Sequence, residues 1–209
     1  ICRAFNDHVA ELAGRNGSRF AGLASLPFAD MDAAVAEFHR AMGLPGMVGA
    51  ILPGNGFLLY SDAEAFRPLF EAAQQYNAIM LIHTGPMPGE VLWPPDESID
   101  NRWVRQGTLD MQARVSSAMV TICLTDFLEK YPGVTVMSHN LGGNIPFEVE
   151  RMDHLVLALN PDEEPPSQRF RQTNILIDCN SLGERCIERG DRAVLQFHAS
   201  GRDIACRQP

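Results

Sequence analysis

The chain has 209 residues, 45% hydrophobic and 21% charged, the balance of a soluble globular protein with one sizeable core rather than a disordered or fibrous one. Its formal charge is −9, from 17 basic and 26 acidic residues, with Lys130 the sole lysine. This excludes a basic nucleic-acid-binding stripe as the main working surface, and no apolar run reaches the roughly 18–20 residues of a membrane-spanning helix.

The first residue is Ile1 rather than Met, and Cys2 to Leu12 already has a helical pattern, which reads as the middle of something longer. Phe20 to Leu26 is a first strand, stopped by Pro27. Asp30 then caps a helix that turns Val35, Phe38 and Met42 to one side. Met47 to Leu52 is a second strand, closed by Pro53-Gly54-Asn55-Gly56. Ser61 and Glu64 have the spacing of a capping box, ahead of a helix with Phe66, Leu69, Phe70 and Ala73 on one face. Ala78 to Ile82 is apolar at every position, as expected of a strand covered on both faces. A proline-bearing loop follows over 85–100, then a long helix over about 101–130 with Thr108, Met111, Val115, Met119 and Ile122 inward. Val134 to Met137 is a fourth strand. Asn144 caps the next helix, with Pro146 in its first turn and Met152, Leu155, Val156 and Leu159 inward. Beyond an acidic loop at 160–168, Ile175 to Ile177 is a fifth strand, and Ala193 to Phe197 is a candidate sixth.

Strands alternating with helices imply a parallel sheet with right-handed crossovers. The pattern fits either an open doubly wound sheet or part of a closed (β/α)8 barrel, which needs eight strands in about 250 residues. Five Cys (2, 123, 179, 186 and 206), an odd count without tight spacing, point to reduced thiols and a cytoplasmic setting rather than a disulfide framework.

Functional groups of parallel α/β sheets gather where strands run into helices. Two of the six His meet that condition: His83 directly follows AIMLI, and His139 directly follows VTVMS. Two imidazoles at one lip suit a metal site or proton transfer, or each simply bonds a loop carbonyl. His8, His39 and His154 read as helix residues, and His198 lies in the tail. Gly142-Gly143 permits a sharp turn after His139 and offers N–H groups to an anion, although paired glycines more often serve the turn alone. Trp93 is the one large aromatic of the 85–100 loop and reads equally as a substrate contact on a lid or as packing against the rim. Asp178 ends a strand and either points into the mouth or caps a turn. Arg102 and Arg105 are candidates to grip a carboxylate, while Arg151 with Asp153 reads as a surface charge pair.

The segments RFAGLASLPF, GLPGMVGAILP, FRPLFEAAQQYNAIMLIHTGP and FLEKYPGVTVMSHNLGG, followed by PFEVERMDH, resemble the amidohydrolase-related family over about residues 19–178. That family includes aminocarboxymuconate semialdehyde decarboxylase and the resorcylate-type aromatic-acid decarboxylases. The resemblance implies an incomplete (β/α)8 TIM barrel of the metal-dependent hydrolase type, with five to six parallel strands present. It would occupy residues 1–181, followed by an atypical tail over 182–209. It further implies a mononuclear site for a divalent ion, often zinc, with His83 as metal ligand and His139 as the acid–base catalyst of the decarboxylases, or a metal ligand as in hydrolytic relatives. The implied chemistry is non-oxidative decarboxylation or hydrolysis of a small carboxylated aromatic or muconate-type substrate, in a protein that associates with copies of itself. The family's first-strand His-x-His pair and last-strand Asp have no counterpart in these residues. The alternative is therefore a catalytically inactive partial barrel serving as a structural or interaction module. A doubly wound sheet holding phosphate at Gly142-Gly143 is the remaining reading, without a G-x-G-x-x-G or P-loop spacing behind it.

Overall fold

The computed structural model describes residues 1–15, 20–91, 102–173, 175–177, 197–199 and 202–204. Helix α1 (Cys2–Arg15) leads into β1 (Gly22–Ala24), α2 (Met31–Met42), β2 (Met47–Pro53), α3 (Tyr60–Ala63), α4 (Arg67–Gln74) and β3 (Ile79–His83). Then come α5 (Arg102–Val104), α6 (Met111–Cys123), β4 (Thr135–Ser138), α7 (Ile145–Leu159), α8 (Pro166–Gln172) and β5 (Ile175–Ile177). Strands β1 to β5 pair in parallel, each next to its neighbour in the chain. A doubly wound sheet reverses its strand order at a switch point. Here the order never reverses, so the sheet is an arc of barrel wall. The short pair β6 (Phe197–Ala199) and β7 (Arg202–Ile204) is antiparallel and forms a sheet of its own. The candidate sixth strand is thus not in the parallel sheet at Phe197, and residues 193–196 lie outside the described residues.

Register explains which face is which. Ala50, Met80, Val136 and Ile175 stand side by side across four strands. All four are buried with Phe38, Leu69, Phe70 and Met119 of the covering helices. Their neighbours Ile51, Leu81 and Met137 point to the opposite face and are only half-buried. A complete barrel fills that inner face with side chains from eight strands; five strands leave it partly open. The expectation of equal cover on both faces of β3 is corrected accordingly.

Helix α2 forms as expected, with Asp30 accepting from the Ala33 N–H at 3.0 Å and Phe38 fully buried. The next stretch differs. Leu59, not Ser61, holds the N-cap position of α3 without a side-chain cap, and a 3-10 turn at Glu64–Phe66 separates α3 from α4. Glu64 turns to Arg67 instead of closing a capping box. The expected apolar face survives the kink, because Phe66, Leu69, Phe70 and Ala73 are all fully buried. Phe57, Phe66, Phe70, Phe127 and Tyr131 form a ring cluster, Phe57–Phe66 centroids being 4.5 Å apart and Phe70–Phe127 5.0 Å. The Arg67 guanidinium lies 5.0 Å from the Phe127 centroid.

The long helix expected over 101–130 is interrupted by a π-helical turn at Arg105–Asp110, ahead of α6. Val115, Met119 and Ile122 are buried as expected, whereas Thr108 is exposed and Met111 half-buried. On α7 only Ile145 is fully buried; Leu155 and Leu159 are exposed, correcting their inward assignment, although Met152 packs against the core. Asn144 holds the N-cap position without a side-chain cap, its N–H donating instead to Ser116 Oγ at 2.7 Å. Helix α8 occupies part of what reads as acidic loop. Arg151 lies 3.7 Å from Glu148, not against Asp153, whose carboxylate accepts from the Ser167 N–H. No described helix is long and apolar enough to cross a membrane.

A buried polar knot ties α1 to the wall. Asn6, fully buried, donates to Ser25 O and Glu37 Oε1 and accepts from the Ser25 N–H. Glu37 is 5% exposed, and Arg40 and Arg3 both donate to it. The Arg40 hydrogen bonds, with those of Asn6 and Arg3, hold the Glu37 carboxyl at about 2 despite its burial. A depressed native value means the stabilisation is fully present above the unfolded carboxyl range and is lost as pH falls toward 2. Between pH 7 and pH 3 the protein is expected to lose about 1–2 kcal/mol through this group, discounted because the arginine heads reach solvent. Glu37→Gln should flatten that part of the curve in urea titrations at the two pH values; an unchanged slope rejects the assignment.

Candidate active site

His83 is the last residue of β3, and His139 directly follows β4. The register pairs Ile82 with Ser138. That offset of 56 residues (138 − 82) is also the offset of the two histidines (139 − 83). They therefore continue one rung beyond the ladder, on the same inner face as Leu81 and Met137. Their ring centroids are 4.1 Å apart, with 31° between planes. The structure thus brings the two sequence-identified residues into contact.

The Nδ1 of His83 lies 2.8 Å from the carbonyl oxygen of Thr84. A carbonyl has no proton to give, so Nδ1 carries the hydrogen, and in the neutral ring Nε2 keeps its lone pair. This is the tautomer that a metal-binding or proton-accepting Nε2 requires. The Nδ1 of His139 is buried.

The turn after His139 is strained. Asn140, Leu141, Gly142 and Gly143 all have positive φ, from 48° to 75°. Left-handed backbone at a leucine is costly and clusters at functional turns. A Cβ at Gly143 would lie 2.4 Å from Gln112 O and 2.7 Å from Ser116 N, so only glycine lets this turn press against α6. The Gly143 N–H donates to Asn140 O, and the Asn144 N–H to Ser116 Oγ. Those two donors are engaged within the fold and are closed to an anion.

On the other side of His83, the turn after β2 (Gly54–Phe57) packs close enough that a Cβ at Gly54 would meet His83 O at 2.9 Å. Asn55 follows, bonded to Glu90 of the loop after His83 and to Arg114 of α6. Sequence spacing does not single out these three residues; a polar side chain set between two glycines at a strand end is the signal that could have found Asn55. Trp93 and Asp178 lie outside the described residues, as does the side chain of Arg102, while Arg105 is exposed. Among the described residues no group of three His, Cys, Asp or Glu stands close enough to hold a metal ion. The donor chemistry of His83 suits a divalent cation; the described residues alone do not complete its shell.

Residues 1–155 match the family described as Amidohydrolase. The 2-amino-3-carboxymuconate-6-semialdehyde decarboxylase of Dictyostelium discoideum is 27% identical over 158 residues, covering 74% of this chain and 41% of its own length. Gamma-resorcylate decarboxylase of a Polaromonas species is 24% identical over 176 residues, covering 80% and 52%. Among solved structures, 5-carboxyvanillate decarboxylase of Sphingomonas paucimobilis superposes with TM-score 0.63 at 24% identity, covering 85% of this chain and 53% of its own. The manganese-bound 5-carboxyvanillate decarboxylase of Novosphingobium aromaticivorans gives 0.66 at 19%, covering 86% and 53%. These structures share the fold, a barrel of which this chain is a partial wall. The chain spans about half the length of the curated relatives it matches.

Proposed function

This chain belongs to the amidohydrolase family, and from that premise we propose that it is the central wall of a metal-dependent decarboxylase acting on a small carboxylated aromatic or muconate-type acid. The observation that supports the reading is the 4.1 Å approach of His83 and His139 on the inner face of the sheet. His83, its Nδ1 proton committed to Thr84, presents the Nε2 lone pair to the ion. Zinc suits imidazole donors, and manganese is the ion bound in a solved relative. When bound, the cation supplies positive charge that orients the substrate's oxygen atoms. The remaining ligands come from outside the described residues.

His139 handles the proton. As the bond to the carboxylate breaks, CO2 leaves and its bonding electron pair stays on the substrate carbon. Protonated His139 delivers a proton to that carbon and is recharged from solvent. Trp93, on the loop that follows His83, is assigned to substrate contact. Association with a second copy would cover Phe147, Leu155 and Leu159 of α7, all of them exposed.

The test is CO2 release from dihydroxybenzoate- and muconate-type acids with added Zn2+ or Mn2+, by this chain and by a form carried out to the length of its relatives. The longer form is expected to turn over and to hold one ion per chain, with His83→Ala losing both. No release from any acid by either form overturns the proposal. The incomplete donor set supports one competing reading, a non-catalytic partial barrel. Absence of bound metal from the longer form, with an unchanged oligomer, would favour it.

A further inference from the structure

Resting on that reading of His83, we infer that Asn55 is a positioning residue that fixes the His83 imidazole by holding the loop 84–91 against the barrel lip. Two elements converge on its side chain, α6 and the loop after His83, and it is 8% exposed. Arg114 of α6 donates to Oδ1 at 3.3 Å, and Nδ2 donates to Glu90 Oε2 at 2.9 Å. Arginine can only donate and a carboxylate only accept, so the amide has one permitted orientation. The backbone takes part too: the Asn55 N–H donates to Gly85 O at 3.1 Å, and the Met87 N–H donates to the same Glu90 oxygen at 2.9 Å. The loop is thus tied to Asn55 at Gly85 and Glu90, with the Met87 N–H bracing the Glu90 carboxylate from within the loop. Thr84, whose carbonyl receives the His83 Nδ1 proton, sits directly between His83 and the first tie. The Asn55 hydrogen bond, then the Met87 N–H, holds the Glu90 carboxyl below the usual range, so it remains an ionised acceptor.

The geometry rejects a carboxylate at position 55, because Asn55→Asp would set it against Glu90 in place of a donor. The experiment is 15N NMR of the His83 ring in this chain, with amide hydrogen exchange at residue 55. The parent should show a single Nδ1-protonated tautomer. Asn55→Asp should give a mixture of tautomers, and Glu90→Ala, a change at an exposed loop position, should do the same and speed exchange at Asn55 roughly tenfold. The double variant Asn55→Asp/Glu90→Gln offers the position-55 carboxylate a donor at the expense of the Met87 N–H contact, and should recover part of the single-tautomer population. If both single variants keep one tautomer and parental exchange, Asn55 does not position His83. The tautomer readout is independent of turnover: altered tautomers without decarboxylation by the longer form would sink the function and leave the positioning role intact.

Discussion

His139→Asn is expected to lower kcat for decarboxylation roughly 10²–10⁴-fold, with KM changed only a few-fold. Asparagine keeps a polar side chain at the end of β4 but cannot carry an ionisable proton. The deficit therefore falls on the step in which the substrate carbon takes up hydrogen, not on binding. His139 reaches that position because β4 is in register with β3, so its ring stacks on His83 at 4.1 Å instead of facing the helices. The measurement is steady-state CO2 release by the form that turns over, beside the His83→Ala variant. Loss through His83 should track loss of metal, whereas loss through His139 should leave metal content at the parental level. Full kcat in His139→Asn would remove the residue from the chemistry.

Gly49→Ala is expected to destabilise the fold by more than about 4 kcal/mol, enough to prevent recovery of folded protein. A Cβ at Gly49 would stand 1.7 Å from Ile79 O, 2.6 Å from its carbonyl carbon and 2.9 Å from its nitrogen. Those atoms are the backbone of β3, paired with Gly49 in the sheet, so relief requires prying apart the two strands whose ends carry Asn55 and His83. Side-chain repacking cannot absorb such a clash. Gly107→Ala is the control, since a Cβ there meets nothing within 4 Å; it should leave stability within about 0.5 kcal/mol or raise it slightly. Urea unfolding of both variants decides the matter, and a folded Gly49→Ala with near-parental stability would contradict the strand spacing.

The amino-acid order alone determined the alternation of elements, because apolar runs and one-sided helices are local, periodic signals. Asp30 as a cap, Phe38, Leu69 and Phe70 as core, and Ile175–Ile177 as a short strand all follow from spacing within a dozen residues. So does the placing of His83 and His139 at strand ends, which needs only the end of an apolar run to be recognised. Distant partners decided the rest. Glu64 prefers Arg67 to Ser61, the turn at 140–144 is shaped by Ser116 and Gln112 of another helix, and Leu155 and Leu159 are exposed although their spacing puts them on the side of Met152, which packs against the core. The contact between the two histidines also belongs to this class: a sheet register of 56 residues sets it, and no local pattern encodes a register between strands so far apart in the chain.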